Sequence, residues 1–284
     1  MNNPQILDRT QCHLGEGAFW HPLRAQFFWF DILSKRLNTR EGDQTRHWQF
    51  DEHVSAAGWT GLDSLLIASE TGLWAFDIEN GARKLVVPLE AENPLTRSND
   101  GRADPQGGFW IGTMGKGAQA CAGAIYRLYR GELRKLYGGI TIPNAICFAP
   151  DGRTAYYTDT VTRRIMRQTL DDQGWPTGVP VGHIDLTAEG LNPDGAVVDA
   201  SGCLWNAQWG ASRIARYAPD GAFLSAVAFP ALQVSCPCFG GPDLTTLYAT
   251  SATEGLDPTG EADGMTFVVV TEVRGQAEPA VRLA

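Results

Sequence analysis

Four oxygen-bearing side chains, Glu16, Asn99, Asn144 and Asp194, stand five to seven residues ahead of a turn sequence that keeps returning along the chain. Asn99 precedes Asp104, Asn144 precedes Asp151, Asp194 precedes Asp199, and Glu16 precedes Pro22. Two carboxylates with an amide oxygen, and no sulfur or imidazole beside them, suit a hard divalent cation such as Ca²⁺, Mg²⁺ or Mn²⁺, with Zn²⁺ or Fe²⁺ also compatible. Three protein ligands leave coordination positions for water and substrate. The plainer reading is that Asn and Asp make turns, as they do throughout β proteins, and Asn99-Asp100-Gly101 is a good turn sequence by itself. Glu16 resists that reading, because Leu14-Gly15-Glu16-Gly17-Ala18 gives no turn reason for a carboxylate between two glycines.

The elements that must position these groups are repeats. An Asp/Pro-x-x-Gly-x-apolar-aromatic segment recurs about every 45 residues, most clearly at Asp104–Trp110, Pro150–Tyr157 and Asp199–Trp205. Taking one marker from each copy gives Trp29, Leu66, Trp110, Tyr157, Trp205 and Tyr248. Each repeat has room for about four short strands, the size of a propeller blade. Period-2 runs at Ile125–Tyr129 and Thr266–Val270 predict strands, and no long apolar stripe has helical spacing. The expectation is all-β: a six-bladed β-propeller over residues 1–284 as one domain, rather than a β-sandwich or two smaller β domains. Its last blade needs a strand from the other terminus to cover an exposed edge. Ile6 to Asp8 are expected to supply it, next to Ala280–Leu283.

In a closed ring the equivalent positions face a central channel. The second repeat offers only Ala56, Ala57 and Gly58 there, and the sixth Ser235 to Cys238, so the polar set is selective.

Composition limits the setting. The chain is 43% hydrophobic and 19% charged with nine Trp, ample for a core. A formal net charge of −9 argues against a nucleic-acid partner, which needs a basic stripe. Met-Asn-Asn-Pro-Gln-Ile-Leu-Asp-Arg has no charged region followed by an apolar run, and no stretch reaches membrane-spanning length, so a cytoplasmic protein with no membrane association is expected, with a monomer as the default. The six cysteines then read as reduced small apolar residues, Cys147 and Cys203 in particular, and Cys236-Pro237-Cys238 lacks the spacing and companions of a zinc site. The five scattered histidines show no metal-binding spacing.

Leu14-Gly15-Glu16-Gly17 with Trp20, Arg97-Ser98-Asn99-Asp100-Gly101, Gly112-Thr113-Met114, Asn144 followed by Pro150-Asp151-Gly152, and Pro193-Asp194-Gly195 together resemble the SMP-30/gluconolactonase/regucalcin family, nearly end to end. Cys238-Phe239-Gly240-Gly241-Pro242-Asp243 is similar to its bacterial sugar-lactonase branch. The resemblance implies a six-bladed propeller holding one divalent metal on Glu16, Asn144 and Asp194, with Arg97 and Asn99 contacting a sugar lactone, and hydrolysis of an aldonolactone to the aldonic acid. Asp194 is then the candidate general base, as a ligand or as acceptor of the proton of the attacking water. Hydrolysis of another ester or an organophosphate, or a non-enzymatic calcium-binding or scaffold propeller, are the alternatives that the fold also accommodates.

Two departures from the family pattern stand out. After Gly112-Thr113-Met114 the chain runs Gly115-Lys116-Gly117-Ala118-Gln119-Ala120, without the acidic substrate contact the resemblance leads one to expect. Lys116 is expected at the mouth, favouring a lactone with more acceptors, such as a second carboxylate. Asn144 is followed by Ala145 instead of Gly, which matters if the backbone there needs positive φ.

Overall fold

The computed structural model describes residues 3–283; residues 1, 2 and 284, at the limits of the expected domain, lie outside the described residues. The chain forms a six-bladed β-propeller of six four-stranded antiparallel sheets. The inner strands are Gly15–His21, Val54–Gly61, Thr96–Ala103, Pro143–Phe148, Asn192–Val198 and Gln233–Gly240. Each contacts the inner strand of the next blade, and the last contacts the first, closing the ring.

Burial falls radially. Every residue of Gly15–His21 is buried, whereas the outer strands Arg83–Pro88 and Glu132–Ile140 contain no buried residue. All six aromatic or apolar markers lie on the second strand of their blade. Trp29, Trp110 and Trp205 are almost fully buried there, between sheets. Each such side chain contributes roughly 1.5–3 kcal/mol by leaving water, which is why the repeat retains it.

The repeat's Asp has a structural task as well. Asp104 Oδ1 accepts the N–H groups of Gln106 and Gly108, and its Oδ2 accepts Arg127 Nε at 2.6 Å, in an ion pair with both side chains fully buried. Asp199 repeats the arrangement two blades on, capping Ser201 and Cys203 and holding Arg216 at 2.8 Å. The motif thus ties the inner hairpin to the third strand.

Closure differs from the sequence expectation. Gln5–Asp8 does complete the sixth blade, but it pairs with Thr266–Val270, Ile6 opposite Phe267, and not with Ala280–Leu283. The C-terminal stretch crosses the channel instead. Gln276 Nε2 donates to the carbonyls of Phe148 and Val198, Glu278 pairs with Arg102, and Val281 N donates to Trp59 O. Those partners come from the later parts of the inner strands, so the tail covers one mouth and leaves open the one where the strands begin. Among the described residues no helix is long and apolar enough to cross a membrane. Five of the six cysteines are buried, all six are free, and Cys236 and Cys238 lie within an inner strand, as expected of core residues.

Candidate active site

All six inner strands carry an irregularity in the register with their neighbour, near the open mouth. In the first blade Glu16 faces Phe30 and Phe19 faces Phe28, so three steps on the inner strand match two on its partner. An extra residue of this kind leaves the ladder and re-aims the side chains around it. Asn99 and Asp194 sit inside such bulges, and Glu16 and Asn144 immediately before them. The bulge is the device that turns strand residues into the channel. Gly17 follows Glu16 with φ +57°, where an added Cβ would lie 2.2 Å from Ser55 O, so the position requires glycine. Ala145 follows Asn144 with φ 55°; the backbone there does enter the left-handed region, and an alanine accepts it.

The open mouth leads into a cavity of about 430 Å³. Glu16, Arg97, Asn99, Lys116, Asn144 and Asp194, from four blades, all line it. Asn99-Asp100-Gly101, a plausible turn by composition, is instead part of the inner strand Thr96–Ala103. Arg97 is buried and donates through Nη1 to Asn99 Oδ1 at 2.8 Å. From there a chain of side chains crosses three blades. Asn99 Nδ2 donates to Asn144 Oδ1 at 3.1 Å, Asn144 Nδ2 to Thr160 Oγ1 at 2.9 Å, and Thr160 Oγ1 to Pro193 O at 2.8 Å. The Asn144 amide is fixed at both ends.

The two carboxylates behave as a buried pair for which the Arg97 guanidinium does not outweigh burial and mutual repulsion. Burial, and after it the Asp100 carboxylate, pushes Glu16 up to about 8. Burial and then the Glu16 carboxylate raise Asp194 well above the usual carboxylate range. Asp194 Oδ2 is buried without a hydrogen-bond partner among the described residues, an arrangement that costs about 1–3 kcal/mol if nothing binds it. Among the described residues no three His, Cys, Asp or Glu side chains converge as a metal cluster; the convergence is two carboxylates and an amide oxygen. That hard, oxygen-only set with an orphaned buried acceptor fits a divalent cation.

These features coincide with a known family. The model of the SMP-30/Gluconolactonase/LRE-like region matches residues 14–253. The chain belongs to that family. Its relatives include an L-arabinolactonase of Azospirillum brasilense, 36% identical over 96% of this chain and 93% of its own. Another is a 6-deoxy-6-sulfogluconolactonase of Pseudomonas putida, 32% identical over 94% of each. The crystal structure of a calcium-binding protein, regucalcin, from Agrobacterium tumefaciens superposes with a TM-score of 0.95 at 40% identity, covering 98% of this chain and 97% of that one.

Within this SMP-30/gluconolactonase/LRE-like site Lys116 does reach the mouth, but its ammonium is engaged. Nζ pairs with Glu70, which also accepts the His53 backbone N–H at 2.9 Å. Asp100, read as a turn residue, is buried behind the cavity, and its pKa is pushed up to about 6 by burial. Glu254, Thr160 and Trp209 also line the cavity. Of these, Thr160 and Glu254 lie in connections beyond the repeated inner-strand position, where the one-per-blade pattern is silent.

Proposed function

We propose that this protein hydrolyses a sugar lactone to the open aldonic acid, with one divalent cation held by Glu16, Asn144 and Asp194. The observation that carries the reading is Asp194 Oδ2, a buried, unpartnered carboxylate oxygen beside Glu16 and Asn144 in a cavity of monosaccharide size. Relatives named for lactonase activity over nearly the whole chain support the reaction class. The oxygen ligands admit Ca²⁺, Mg²⁺, Mn²⁺, Zn²⁺ or Fe²⁺. The reading takes the protein to be a cytoplasmic monomer of one domain acting on a small molecule.

The cation, when bound, supplies Lewis-acid chemistry, polarising the lactone carbonyl and easing deprotonation of water. Asp194 accepts the proton of the attacking water. As the water oxygen bonds to the carbonyl carbon, negative charge moves to the carbonyl oxygen. The bond from that carbon to the ring oxygen then breaks, and the ring oxygen leaves as a hydroxyl with the proton Asp194 took. Arg97 and Asn99 orient the sugar: the guanidinium, which among the described residues donates through Nη1, has donors left for substrate oxygens. Leu14, Met114, Ile142 and Trp209 provide an apolar wall for the C–H face of the ring.

The test is a pH-indicator assay on freshly dissolved aldonolactones, corrected for spontaneous opening, using EDTA-treated protein with each cation added back. Turnover restored by a cation supports the proposal. No turnover above background with any of them, from folded protein, sinks it.

A further inference from the structure

The groups that face the cavity without a partner in the protein say which lactones it admits. The sixth blade gives no polar side chain to the channel from its inner strand at Ser235 to Cys238 beyond Ser235, whose hydroxyl is held by Gly15 O and Thr250. It does contribute Glu254, on the connection that follows Thr246–Ala252. The backbone at this point is pinned: Glu254 N donates to His13 O at 3.0 Å, and Thr253 N to the same oxygen at 3.1 Å, on the segment that leads into Glu16. The Glu254 side chain is exposed, lines the cavity, and makes no hydrogen bond or ion pair among the described residues. Its charge is felt across the cavity by Arg97, Glu16 and Asp194.

The opposing cation at the rim is compensated, since Lys116 is held by Glu70. We propose, on the lactonase reading above, that Glu254 is a specificity-determining residue: its carboxylate accepts hydrogen bonds from hydroxyls of a neutral aldonolactone and disfavours lactones bearing an anionic group. The acidic contact missing after Gly112-Thr113-Met114 is thereby supplied from another blade. This reverses the preference that Lys116 alone suggests. A carboxylate matches the polarised hydroxyls of a sugar, and its charge-assisted bonds are about twice as strong as neutral ones. The same charge facing a substrate carboxylate or sulfonate is repulsive and discriminates between partners.

The experiment compares kcat and KM for D-glucono-1,5-lactone and for a glucarolactone, which carries a carboxylate, on cation-loaded wild type, E254Q and E254A. The wild type should prefer the neutral lactone. In E254Q, KM for the neutral lactone should rise about tenfold with kcat within about twofold, the loss of one good charge-assisted contact. Turnover of the glucarolactone should improve at least threefold, and E254A should move the same way. A ratio of the two kcat/KM values unchanged within twofold in both variants overturns the inference while leaving the lactonase reading intact. A wild type that opens neither of these lactones nor any other aldonolactone overturns both.

Discussion

Asp100 Oδ2 accepts the backbone N–H of Ile146 at 2.8 Å, joining the inner strands of the third and fourth blades just beyond Asn144 and the left-handed Ala145. The bond holds a strained bulge in register from the neighbouring blade, and the same buried charge lies near Glu16 and Asp194.

Substitutions at Asp100 should separate its two roles. Asp100→Asn keeps an acceptor for Ile146 but removes a negative charge close to the proposed cation, so the dissociation constant for the cation should weaken about tenfold, on the order of 1.4 kcal/mol, with little change in Tm. Asp100→Ala leaves a buried N–H without a partner and should also lower stability by roughly 1–3 kcal/mol. Calorimetric cation titration and thermal denaturation read the two effects; equal behaviour of the variants would contradict this division.

Gly17→Ala should be poorly tolerated. Its Cβ would lie 2.2 Å from Ser55 O and 2.7 Å from Phe30 Cδ2, at a φ of +57°. The left-handed backbone alone costs an L-residue roughly 1–2 kcal/mol, and the clash adds to it while shifting Glu16. A stability loss of at least about 2 kcal/mol with weakened cation binding is expected by chemical denaturation and titration.

The blades were legible in the sequence because the same Asp, Gly and aromatic residues serve the same tasks in several of them. Trp29, Trp110 and Trp205 had to be buried, and the Asp104 and Asp199 turns had to be capped. The convergence of Glu16, Asn144 and Asp194 followed from ring closure. What the sequence did not show was the extra residue in each inner strand, since a bulge has no fixed side-chain signature. Asn99-Asp100-Gly101 therefore passed for a turn, and Asp100 was overlooked. Glu254 carried no signal because it lies between strands, and the Lys116 partner, Glu70, is distant in the chain. The N-terminal strand was recognisable, but its partner depended on where the C-terminal tail goes, which long-range contacts to Trp59, Phe148 and Arg102 decide.

The buried pair of Asp104 and Arg127 should be sensitive to loss of one member. Asp104→Ala leaves the guanidinium, which is also stacked 4.4 Å from the rings of Tyr129 and Trp175, without its counter-charge. The expected loss is about 3–5 kcal/mol by denaturant titration. Replacing both residues by apolar ones should cost less than the single change.

Without a cation, stability should fall as pH rises. Glu16 has an ordinary value of 4.5 and stands at about 8 in the folded chain. Between those values the folded state binds the proton more tightly than the unfolded one, so the stability contributed by the neutral acid is present at low pH and lost as pH rises through that window. Asp194 is raised in the same direction. The Tm of EDTA-treated wild type should drop from pH 5 to pH 8 more than that of Glu16→Gln. Cation binding near neutral pH should release protons, seen as a buffer-dependent calorimetric heat.

The most direct test of the central claim is a titration of lactone turnover against added cation in stripped wild type and in Asp194→Ala, each shown to be folded. Wild-type turnover should saturate at one cation per chain, and the variant should show none above background at any cation level. Full turnover in the stripped wild type, or cation-dependent turnover retained by Asp194→Ala, would contradict it.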